Sequence, residues 1–126
     1  MLLTVLQVAI GGAIGAAGRY LSGLAVLRLL GPQQIPVGVI FVNIVGSFVM
    51  GALVTFLGQK GLTHWNAFLA TGILGGFTTF SSFSLETWTL IERGETGLAA
   101  TYVVLSVGVA LIGLICGVHV MRWVLA

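Results

Sequence analysis

Gly72-Ile73-Leu74-Gly75-Gly76-Phe77-Thr78-Thr79-Phe80-Ser81-Ser82-Phe83-Ser84 sits in the middle of a long apolar stretch, roughly 65–91. It holds three glycines, then five hydroxyl residues interleaved with three phenylalanines. Such a run is a poor helix interior. Glycine loses the most backbone freedom on folding, and Ser and Thr side chains compete for backbone hydrogen bonds. Yet the whole stretch is long enough to cross a bilayer, which takes ~20 predominantly apolar residues. Inside a membrane, irregular backbone is tolerated only where it is buried in protein or lines a wet cavity. The stretch therefore reads as a spanning helix broken at its middle.

The rest of the chain supports a membrane reading. Of 126 residues, 58% are hydrophobic and 6% charged, and the mean hydropathy is +1.15. A soluble domain carries roughly a quarter of its residues as charges. Further spans fall at roughly 3–30, 37–57 and 98–125, which predicts an all-α membrane protein of four transmembrane helices. Together they fill 1–126 as a single transmembrane domain with no room for a soluble one. The first span carries Gly11-Gly12-Ala13-Ile14-Gly15-Ala16-Ala17-Gly18 before Arg19. Gly31-Pro32-Gln33-Gln34-Ile35-Pro36 breaks the chain before the second span. That span contains Asn43 and the small residues Gly46, Ser47 and Gly51. Tyr102 and Ser106 stand one helical turn apart in the fourth. The amino terminus has no basic region and no small-residue cleavage site, so it reads as a retained span.

Charge placement leaves the orientation undecided. Lys60 and Arg122 flank the side on which both termini lie, and Arg28 and Arg93 flank the other. With Arg19 inside the membrane, the cationic count that normally sets topology is tied. A tie suits insertion in both directions and antiparallel assembly of two copies. The small-residue pairs Gly11/Gly15, Gly72/Gly76 and Gly113/Gly117 fit close helix pairing of that kind. The five basic residues are scattered singly, which gives no footprint for nucleic acid. Cys116 has no partner in the chain and reads as a packing residue.

Few residues are able to carry chemistry. Arg19 is costly in a span, about 2.5–3.5 kcal/mol at a helix centre on insertion scales. It reads either as a source of positive field for anions or as a side chain reaching for the interface. Asn43 reads as interhelical glue or as a contact for a permeating ion. Phe80 and Phe83 share a helical face with Glu86. Aromatic stripes usually pack, but these rings stand among hydroxyls, and a ring's positive edge suits an anion. Glu86 reads as a proton carrier or as an acid reaching for the helix end. Metalloprotease, hydrolase and nucleotide-loop motifs are all missing, so the chain does not read as an enzyme.

The segment Gly75–Glu86 strongly resembles the signature of the Fluc (CrcB) fluoride channels. Gly11–Ala16 with Arg19, and Val42-Asn43-Ile44-Val45-Gly46-Ser47, resemble the family as well. The resemblance covers nearly the whole chain. It implies an antiparallel, dual-topology homodimer in the bacterial inner membrane, with two pores through which fluoride leaves the cell. It implies fluoride contacts at Asn43, Phe80 and Phe83, and a polar track through Ser81, Ser82, Tyr102 and Ser106, with Arg19 at the vestibule. It also implies a structural sodium ion at the dimer centre, held by the backbone carbonyls of Gly75 and Thr78 from both copies. Some family members carry a serine one turn beyond Ser106, where this chain has Ala110. A four-span proton-coupled drug exporter fits less well, because it needs an acid in the first span and this one has none. A non-transporting membrane scaffold gives no reason for the irregular third span.

Overall fold

The chain is described here by a computed structural model covering Met1–Ala126. α1 spans Leu2–Leu30 and α2 spans Val37–Gln59. A single 3-10 turn, Thr63–Trp65, opens the third span. The span continues as a π-helical segment, Ala67–Leu74, and one α turn, α3, Gly75–Phe77. After a break it resumes as α4, Phe80–Glu92, and α5 covers Thr96–Leu125. There are four helical stretches long and apolar enough to cross a membrane, the third being Thr63–Glu92 with its bend. The chain is thus a multi-pass membrane protein. Turns between spans are short. Gly31 and Gly94 hold φ of 70° and 77°, a region costly for other residues, and so reverse the chain at once.

Packing divides the bundle into two pairs. α1 lies mainly on the first half of the third span, and α2 mainly on α5. Glycine makes both contacts possible. A Cβ on Gly15 would run into the backbone of Ile73 and Phe77, and one on Gly76 into Gly12. A Cβ on Gly51 would meet the Leu114 carbonyl, and one on Gly117 the Phe48 carbonyl. Lipid offers helices no hydrophobic reason to associate, so backbone-to-backbone approach supplies the packing. The glycine pairs expected to join two copies therefore join helices within one chain.

The third span changes partner partway along. Its first half follows α1, whereas α4 packs on α5. Phe83 and Leu90 of α4 form a buried cluster with Ala99 and Tyr102 of α5, flanked by Val39 and Ile40 of α2. The bend that permits this falls at Thr78 (φ −85°, ψ 161°) and Thr79 (φ −151°, ψ 121°). The glycine pair expected to break the helix remains helical, with Gly75 at φ −62°, ψ −37°. Gly76 serves close approach to α1, Gly75 meets only its own span's Ala70 carbonyl, and the break is a threonine feature. Cys116, expected to pack, is exposed on α5.

Substituting Gly15→Val overpacks a backbone contact and should cost about 1–3 kcal/mol. Gly97→Ala, in open space at the start of α5, should be neutral or gain up to about 1 kcal/mol. Unfolding of the two variants in detergent checks both outcomes, and equal stability of Gly15→Val and the parent would contradict the packing.

Candidate functional site

Asn43 and Thr79 build the site. Thr79 is extended, so its N–H and C=O point sideways as a strand's would. The Asn43 side chain pairs with both: Thr79 N–H donates to Oδ1 at 2.8 Å, and Nδ2 donates to the Thr79 carbonyl at 3.0 Å. A carboxamide has one acceptor and two donors in a plane, which matches an exposed peptide unit. One amide N–H of Asn43 remains for other use. Asn43 is thus the interhelical tie that the sequence allowed.

The same residue starts α4. The Thr79 hydroxyl accepts from the Ser82 N–H at 3.1 Å, as an N-cap does. Both bonds divert donors from the carbonyls an unbroken helix would satisfy. Thr79 N–H would have gone to Gly75, and Ser82 N–H to Thr78, each four residues back. The carbonyls of Gly75 and Thr78 are left without those donors. Their neighbours are covered: the Leu74 carbonyl accepts from both the N–H and the hydroxyl of Thr78, each at 3.0 Å. The Gly76 carbonyl accepts from Arg19 Nε at 3.2 Å. Arg19 is therefore tied to the end of the first half-helix, where a cation complements the dipole.

Two clefts meet at Thr79. One, about 420 Å³, lies between α2 and α5 and is lined by Asn43, Ser47, Phe80, Phe83 and Ser106. No charged side chain lines it. The other, about 320 Å³, lies towards the Gly31–Pro36 turn and includes Arg19, Tyr20, Val42 and Ser82. The phenylalanine rings stand 5.6 Å apart and tilted, and Phe83 lies 5.3 Å from Tyr102. Phe83 is buried, whereas Phe80, at the rim of the cleft, is 78% exposed. Tyr102 and Ser106 are 0% and 4% exposed, and neither hydroxyl has a hydrogen-bond partner. A buried hydroxyl left unpaired is costly. Ser81 is exposed, its hydroxyl 3.4 Å from that of Thr79.

The structure thus gathers Asn43, Phe80, Phe83 and Ser106 into one cleft and sets Tyr102 against Phe83. It places Arg19 and Ser82 in the second cleft, and Gly75 and Thr78 at the break. Sequence reading missed Thr79. The available signal was its position three residues before Ser82, at the start of a helical run. No group of three or more His, Cys, Asp or Glu side chains is placed to hold a metal, so a cation would depend on carbonyl oxygens.

Replacing Asn43 by Leu strands the Thr79 peptide groups at membrane depth. The expected loss is about 1–3 kcal/mol for each group left unpaired. Thr79→Ala should cost about 1 kcal/mol through the lost cap, and Thr79→Ser almost nothing. Unfolding of the purified variants measures each. An Asn43→Leu protein as stable as the parent would contradict the pairing.

Comparison with known proteins identifies the family. The family model described as CrcB-like protein, Camphor Resistance (CrcB), matches residues 6–118. A protein of Ruegeria sp. (strain TM1040), named fluoride-specific ion channel FluC, is 58% identical, over 99% of each chain. Relatives of the same name from Cereibacter sphaeroides (strain ATCC 17029 / ATH 2.4.9) and Caulobacter vibrioides (strain NA1000 / CB15N) are 56% and 46% identical. The first covers 97% of both chains, and the second 97% of this chain and 98% of its own. With a family model spanning most of its length and full-length relatives at this identity, the chain belongs to the CrcB family.

Proposed function

We propose that this chain is a fluoride-selective ion channel that lets fluoride leave the cell and so limits its toxicity. The observation that carries the reading is the uncharged cleft at the break. Fluoride is small and holds its water tightly, so a path must offer compact donors in exchange. The remaining Asn43 amide N–H, the orphaned hydroxyls of Tyr102 and Ser106, and the edges of Phe80 and Phe83 are all such donors. None carries a full charge, which would hold the ion too long for conduction. Arg19, tethered beside the second cleft, adds a positive field at the approach. α4 directs its N-terminal end, positive by its dipole, at the junction of the clefts. The names of the relatives agree with an ion channel and not an enzyme.

The working unit in this reading is an antiparallel homodimer with two pores, in the bacterial inner membrane. The tied count of basic residues supports insertion both ways. Phe80, largely exposed in one copy, calls for a second wall. A sodium ion fits the break because Gly75 and Thr78 offer oxygen donors without helical partners, and hard cations favour such carbonyls. Two carbonyls do not enclose a cation, and a second copy would double the number. Bound there, the ion would hold the two third spans together, its chemistry being that of a fixed charge.

Purified protein in liposomes should release loaded fluoride and retain chloride. Chloride passing as readily as fluoride, or no fluoride release, contradicts the reading. Phe80→Leu and Phe83→Leu keep apolar volume but lack a ring quadrupole. At the scale of an aromatic edge contact, about 0.5–1.5 kcal/mol, each should reduce flux by up to roughly tenfold while the protein elutes unchanged in size. Parental flux in both variants would make the rings structural only.

A further inference from the structure

Ser47 reads in the sequence as one of several small residues for packing. In the structure it opens on the uncharged cleft, one helical turn beyond Asn43 on α2. Hydroxyls within membrane helices commonly turn back on the carbonyl one turn earlier. Thr55 does so further along the same helix, donating to the Gly51 carbonyl at 2.7 Å. Ser47 makes no such bond and keeps its hydroxyl free for the cleft. From α5, Ser106 lines the same cleft, its Oγ buried and unpartnered. The other hydroxyls lining it are engaged: Thr78 donates to Leu74, and Thr79 caps α4. Beyond Ser47 and Ser106 the walls are apolar, with Met50, Ala110, Leu111 and Leu114.

We infer that Ser47 is a further fluoride-binding hydroxyl, the last donor on the α2 side before the ion meets the apolar end of the cleft. This rests on the channel reading given above. An anion leaving Asn43 towards that end has Ser47 on one wall and Ser106 on the other. Together they carry it to the point where water must take over. Without Ser47 the ion sheds its last amide contact against Met50 and Leu114, with no donor on the α2 side. Selectivity depends on the same step, since a larger and less strongly hydrated anion loses less there.

The test compares four proteins in liposomes: the parent, Ser47→Ala, Ser47→Ala with Ala110→Ser, and Ala110→Ser alone. Each is loaded with fluoride or with chloride. Ser47→Ala removes one oxygen from a cleft-facing position, so the protein should elute at parental size. Fluoride flux should fall roughly tenfold or more, the scale of one hydrogen bond to an ion, and the fluoride-to-chloride ratio should fall with it. Ala110→Ser, which returns a hydroxyl to the same reach of the cleft from α5, should restore flux to Ser47→Ala. Parental flux in Ser47→Ala overturns the inference. So does a loss of flux that Ala110→Ser leaves uncorrected, because Ser47 then acts through packing. A parent that passes no fluoride overturns the channel reading itself, and the two failures are told apart in one experiment.

Discussion

The two hydrogen bonds between the Asn43 side chain and the Thr79 peptide hold the rest of the site in place. A helix interrupted inside a membrane leaves polar backbone that lipid cannot satisfy. Asn43 supplies the missing partners from a neighbouring helix. Thr79 is thereby fixed in an extended conformation, and its hydroxyl is free to cap α4. The third span leaves α1 and passes to α5 at that point. Phe80 and Phe83 follow within the first turn of the new helix. Their placement beside Asn43 is thus a consequence of the break.

The break also creates two ends of opposite character. The half-helix ending at Phe77 presents carbonyls, and α4 presents N–H groups. On the carbonyl side, Arg19 bonds to Gly76 and Thr78 to Leu74, while Gly75 and Thr78 lack the donors that an unbroken helix would give them. Those two suit a cation. The N–H side, flanked by ring edges and hydroxyls, suits an anion. In the proposed reading, one interruption would serve a fixed cation and a moving anion a few residues apart. Discontinuous membrane helices elsewhere use their half-helix ends in this way.

Much of this was legible in the sequence because bilayer thickness sets span length, and four apolar stretches separated by Gly, Pro and charged turns leave few alternatives. The broken third span was legible too, since Gly72–Ser84 is unsuited to uninterrupted helix. Its exact point was not. Glycine signals both flexibility and close approach, and only the position of α1 shows that Gly76 serves the second. For the same reason Gly11, Gly15 and Gly117 were legible as contacts but not as contacts within one chain. Thr79 and Ser47 escaped notice because a hydroxyl's role depends on its partner. Nothing local distinguishes Ser47 from Thr55, which bonds back to its own helix. The outward position of Cys116 was not legible for a related reason: its stretch of α5, residues 111–118, is apolar on every side.

The most direct measurement of the account is the carbonyl carbon-13 shift at the break, recorded by solid-state NMR on labelled protein in bilayers. Sodium is then exchanged for N-methylglucamine. Gly75 and Thr78 should shift when sodium leaves, while Leu74, whose carbonyl already accepts two donors, should not. Resonances of Gly75 and Thr78 that stay where they were, or that move no more than Leu74, would contradict the claim that the Asn43–Thr79 pairing frees these two carbonyls for a cation.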